Sequence, residues 1–139
     1  MNSNIIEYIT DKAIFADGVK SKVFTLLNYL ETQQNEHYYP LTKIKNITNL
    51  STSSSMEVAR FFCSPAVSLL EPKFIYITFE GQSIEITKAD FNNGLRFDSL
   101  NQGSDFITEE NEKIEGFDRR RLKFFFIRKV EAEYEELEW

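Results

Sequence analysis

The 139-residue chain has one cysteine, one histidine and no extended apolar run, and each shortage closes off a class of protein. Cys63 alone cannot form an internal disulfide, and a single thiol suits a reducing compartment. His37 and Cys63 together are too few for a zinc site. No apolar stretch approaches the roughly 20 residues of a membrane span, so no membrane is expected. The first residues show no basic stretch followed by an apolar one, which predicts a chain without a signal peptide and a cytoplasmic location. The triplets Asn46-Ile47-Thr48 and Asn49-Leu50-Ser51 then read as chance glycosylation sequons. Internal repeats and low-complexity tracts are lacking. So are the Walker loop and the GxGxxG, GxSxG and HExxH patterns. Glu71-Pro72-Lys73 matches half of a metal-nuclease site but has no partner acid in a matching context. No catalytic, cofactor-binding or metal-ligating residue is therefore expected, and no enzyme, cofactor or small-molecule substrate. Positive charge is also short: 16 Lys and Arg face 22 Asp and Glu, for a net charge of −6. That excludes a uniformly basic nucleic-acid binder but leaves room for a local basic patch.

What the chain has in quantity is aromatic surface, with 13 Phe, 6 Tyr and 1 Trp. Such residues build a dense core or an exposed face awaiting a partner. The length suits one domain that buries roughly two-thirds of its unfolded surface.

Periodicity places the elements. Val19, Val23, Leu26, Leu27 and Leu30 recur with helical spacing, so a helix is expected over 18–33 with Asp17 as its N-cap. Residues 5–15 suit either a helical turn or an extended segment. Pro40 followed by Leu41, Ile44 and Ile47 predicts a short second helix within 41–50. Ser54 and Glu57 have the spacing of a capping box, which predicts a third helix over 55–63 that Pro65 ends. Residues 66–70 could add one more helical turn. After Pro72, residues 73–79 and 84–87 are rich in β-branched and aromatic side chains and flank the turn Glu80-Gly81-Gln82-Ser83, a β-hairpin. Thr87 and Asp90 suggest a further short helix over 88–94, stopped by Gly94.

Helix, short helix, turn, helix and hairpin, over roughly residues 15–90, is an order that resembles the winged helix-turn-helix superfamily. The resemblance rests on element order and spacing. It implies an α+β fold with a winged-helix-like core of three helices and a β-hairpin wing, the helix at 55–63 standing in the recognition position. It also implies one of two roles: direct binding of double-stranded DNA, or protein docking within a DNA-handling complex. The residues favour docking. A recognition helix needs donors for base edges, and this one offers Arg60 beside Glu57. Ser54 and Ser55 could meet phosphates, though capping chemistry explains them as well. Lys43 and Lys45 could sit on a phosphate backbone or simply be solvated. The wing tip carries Glu80 and no cation.

The strongest basic feature is Arg119, Arg120, Arg121, Lys123, Arg128 and Lys129. A strand is expected over 120–129, because a helix running to the end would oppose its own macrodipole at both poles. Alternation would then put Arg121, Lys123, Phe125, Ile127 and Lys129 on one face and Leu122, Phe124 and Phe126 on the other. The first face could hold single-stranded nucleic acid, or its charges could merely keep an apolar strand soluble. The expected organisation is a winged-helix-like domain with an N-terminal extension over 1–97, a polar loop over 98–113, and a C-terminal strand with an acidic helical tail over 114–139, packed on the same domain. The expected partner is another protein or a second copy, with DNA as the alternative. Five of the 22 acids fall within residues 131–139, so the rest of the chain is balanced to within one charge.

Overall fold

The structure is a computed structural model that describes residues 5–7, 9, 15–97 and 105–129. The fold is mixed α+β. Its main sheet has four strands in the order β1 (Tyr38–Tyr39), β6 (Leu122–Arg128), β2 (Leu70–Ile77) and β3 (Ser83–Ile86), and a two-stranded sheet pairs β4 (Phe106–Ile107) with β5 (Lys113–Ile114). The chain divides into two compact units. One draws on Met1–Pro72 and Phe126–Trp139, the other on Lys73–Phe125. Their limits fall inside β2 (Leu70–Ile77) and β6 (Leu122–Arg128), so both strands run through both units.

The helices described in full in the first unit are α1 (Asp17–Thr32), α2 (Leu41–Thr48) and α3 (Thr52–Cys63). The apolar stripe of α1 is buried through Val23, Leu26, Leu27 and Leu30, as its spacing predicts. Asp17 is not the N-cap. Ala16 takes that position without a side-chain cap, and Asp17 lies in the first turn, where a carboxylate favours the helix dipole. The second helix stops at Thr48 because Asn49 turns into the left-handed region (φ 58°), which asparagine tolerates. The third starts three residues earlier than expected. Ser51 is its cap and accepts from the Ser54 N–H at 3.2 Å, so Ser54 is the capped residue and the Ser54–Glu57 box does not form. Val58, Ala59, Phe61 and Phe62 are buried from this helix. Ile5 and Ile9 are buried too, and the described residues 5–7 and 9 are helical. Between α3 and β2 the chain makes a turn at 65–67 rather than a further helix. A strand that periodicity did not indicate, β1 (Tyr38–Tyr39), pairs antiparallel with β6 through Tyr38↔Ile127 and Tyr39↔Phe126.

The second unit is built on the predicted hairpin. β2 and β3 (Ser83–Ile86) are in register from Phe74↔Ile86 to Ile77↔Ser83, and Gly81 takes the positive φ of 89° that the turn requires. Pro72 precedes that register, where its missing N–H costs the β2–β3 ladder nothing. α4 (Lys88–Leu95) carries the anticipated capping box. Thr87 Oγ1 accepts from the Asp90 N–H at 3.0 Å, and the Asp90 carboxylate accepts from the Thr87 N–H at 3.5 Å. Gly94 does not stop this helix but lies inside it. A Cβ there would stand 2.8 Å from both Leu122 Cδ1 and Phe117 Cζ, so any larger residue would force those side chains to shift. The described part of the expected polar loop contains β4 (Phe106–Ile107) and the start of β5 (Lys113–Ile114), because Phe106 and Ile114 are core residues. Phe117 stacks on Phe106 at 4.6 Å and on Tyr76 at 5.1 Å, and Phe97 meets both phenylalanines edge-on. Much of the aromatic content is thus core. The expected strand over 120–129 is present as β6, preceded by a 3-10 turn at Arg119–Arg121. The predicted acidic helical tail lies outside the described residues.

Candidate functional site

In the first unit, the cation expected at the second helix is held from below. Glu36 Oε2 accepts from Lys43 Nζ at 2.5 Å and from the Tyr29 hydroxyl at 2.6 Å. Lys43 Nζ also sits 4.6 Å from the centre of the Tyr39 ring, a cation–π contact. The hydrogen bonds from Lys43 and then Tyr29 hold the Glu36 carboxyl below its ordinary range. Donating to that carboxylate pushes the Tyr29 hydroxyl up to about 12. Lys43 is therefore occupied, whereas Lys45, two residues on, is half-exposed.

Arg128 is turned inward. Its guanidinium donates to the carbonyls of Leu30, Gln33 (3.2 Å) and Glu36 (3.2 Å). These lie at or just beyond the C-terminal end of α1, where unpaired carbonyls and the helix dipole both favour a cation. Lys129 reaches the Ser68 hydroxyl at 3.3 Å, while its backbone N–H donates to the Leu69 carbonyl at 3.0 Å.

On α3, Ser54 is a first-turn residue and Ser55 is fully buried, its hydroxyl without a hydrogen-bond partner among the described residues. Burial removes Ser55 as a phosphate contact. Arg60 is exposed in the last turn.

In the second unit, Arg120 closes on Asp118 through Nε (3.0 Å) and Nη2 (2.9 Å), in the bidentate geometry that suits a guanidinium and a carboxylate. Arg119 Nη1 approaches the Leu95 carbonyl at 3.4 Å. Arg121 donates to the Thr78 carbonyl at 3.2 Å and lies 5.4 Å over the Phe79 ring. Lys123 is exposed. The single basic face expected along this strand is not formed as such. Arg121 belongs to the preceding turn, Phe125 and Ile127 are partly buried, and Lys129 follows the strand.

The sequence reading missed Phe79. It ends an apolar run and looks like core, yet it is 86% exposed at the hairpin. The neighbouring residues Glu80 and Gly81 already mark a turn, and that was the available signal. Phe79 and Arg121 border a cleft of about 550 Å³ whose other walls include Tyr76, Ile84 and Ile114. Its charges are mixed: Lys113, Arg120 and Arg121 face Glu80, Glu115 and Asp118. An exposed phenylalanine under a guanidinium beside a cleft of mixed charge is the composition of a protein-docking surface more than of a phosphate site.

The groups weighed for catalysis sit elsewhere. Cys63 is pushed up to about 11, first by burial and then by the charge of Glu71, which is the opposite of an activated thiol. His37 is exposed, and its carbonyl accepts from the Arg128 N–H at 2.9 Å. Among the described residues no group of three His, Cys, Asp or Glu is arranged to hold a metal ion, and no helix is long and apolar enough to cross a membrane. No family model, curated protein or solved structure matches the chain.

Proposed function

We propose that this chain is a non-enzymatic interaction subunit with a winged-helix-like core, which docks on a protein partner within a complex that handles DNA. The place in a DNA-handling complex comes from the resemblance in element order. The preference for docking rests on one observation: most of the cations that could meet phosphate are already engaged within the chain. Lys43 pairs with Glu36, Arg121 donates to the Thr78 carbonyl, Arg128 to the end of α1 and Lys129 to the Ser68 hydroxyl, while Arg120 pairs with Asp118 and stays exposed. A DNA-binding surface of this size needs several free Lys and Arg to release counterions from the duplex. The alternative, a DNA-binding regulator, is supported by the exposure of Arg60 on α3 and of Lys123 on β6. A titration with duplex DNA at about 50 mM and about 200 mM salt separates the two. Docking predicts no binding at either concentration. Binding at the lower one that weakens steeply at the higher would establish the regulator instead.

A further inference from the structure

We infer that the outer edge of β3 receives an extended, lysine- or arginine-bearing segment of a protein partner by strand addition. The inference rests on the docking reading and names its site. β3 is the last strand of its sheet, and among the described residues only β2 pairs with it. A cleft of about 340 Å³ touches Ile84, Glu85, Ile86 and Thr87 in succession. Successive strand residues point to opposite faces, so a cleft that meets three in a row, Ile84 to Ile86, and then Thr87 just past the strand follows the edge and not a face. An edge leaves a row of backbone N–H and C=O groups for another strand to pair with.

Charge selects the occupant. The wall opposite β3 carries Glu110 and Glu112, both exposed, while Glu85 lies on the strand itself and Asp90 is buried within the lining. Among the described residues no lysine or arginine lines this cleft. Glu85 pairs with Lys73 at 3.0 Å, but its side chain is 66% exposed, so solvent weakens the pair and the carboxylate stays available to an incoming cation. Asp90 is committed to the capping box and to the Glu109 N–H at 3.0 Å, and adds charge without being a contact. The same acids disfavour a second copy of this chain, because β3 against β3 would bring one acidic rim onto another. A strand with cationic side chains gains both the ladder and the charge.

The probe is a capped, fluorescein-labelled peptide of alternating Lys and Val, with its Glu-Val counterpart as control, titrated against the full chain. The inference predicts that the Lys-Val peptide binds and the Glu-Val peptide does not. It predicts that Glu110→Lys with Glu112→Lys weakens binding by about tenfold or more, and that bound peptide slows amide exchange at Ser83–Thr87. Both substituted residues are exposed, so the variant should fold. Absence of binding, equal binding of both peptides, or protection elsewhere with Ser83–Thr87 unchanged would overturn it. So would a dimer that protects Ser83–Thr87 without peptide. Duplex DNA titrated against the same preparation distinguishes the two failures. Duplex binding at low salt defeats the docking reading, whereas failure of both duplex and peptide defeats only the β3 site.

Discussion

Glu36 takes two hydrogen bonds on one carboxylate oxygen, and that sharing couples the titrations of its neighbours. Its lowered pKa means that its contribution to stability is present above the ordinary value of 4.5 and is lost as pH falls through the folded value. The raised Tyr29 value has the opposite sense. That contribution is present below 10 and is lost as pH rises through about 12. Ultraviolet titration of the phenols should therefore show one of the six tyrosines ionising near 12 in the native protein, and Glu36→Gln should bring it back toward 10. The same substitution should flatten the acid limb of the stability profile below about pH 4.5. Arg128 is the other residue whose role is local. Arg128→Ala leaves the carbonyls at the end of α1 without their cation and should cost about 1–3 kcal/mol in urea unfolding. Arg128→Lys should restore only part, because an ammonium lacks the planar fork that reaches several carbonyls at once.

Element boundaries show where local rules suffice and where packing overrides them. The Thr87–Asp90 box was legible because both hydrogen bonds lie within four residues. The start of α3 was not, since Ser51, Ser53, Ser54 and Ser55 are all acceptable caps and only the burial of Val58, Ala59, Phe61 and Phe62 sets the phase of the helix. Gly94 illustrates the second case. Read alone, a glycine after a short helical run is a stop signal. In the fold it is a spacer that lets α4 approach the side chains of Leu122 and Phe117. Gly94→Ala should gain up to about 1 kcal/mol in helix propensity and lose about 1–3 kcal/mol to overpacking, a net destabilisation. The exposed Asn93→Ala should stay within about 0.5 kcal/mol of the parent or improve it. Chemical denaturation of the two variants side by side checks the sign.

Over the whole molecule, charge is distributed unevenly along the chain but mostly resolved locally. The acids concentrated in 131–139 account for most of the net −6, so removing them is the direct test of whether they screen a basic surface. With Lys43, Arg121 and Arg128 engaged within the described residues, the exposed cations Arg60, Arg120 and Lys123 lie on separate elements and do not add up to one basic face. Deleting residues 131–139 should consequently produce no duplex binding at low salt. A gain in affinity for DNA would mean that Arg60, Lys45 and Lys123 suffice, and would favour the regulator.

Composition and periodicity by themselves determined the α+β class, the three helices of the first unit, the hairpin and the strand character of 122–128. These depend on contacts within a few residues or on alternation along one segment. The two tyrosines of β1 carry no periodic signal, and their strand exists only because β6 arrives beside them from almost ninety residues away. The candidate basic residues were visible as letters, but their availability was not. Whether an arginine faces solvent or closes a helix end depends on which carbonyls the fold brings within about 3 Å of it. The free edge of β3 has the same origin, since an edge is defined by the strand that does not lie beside it, and strand order is a property of tertiary structure alone.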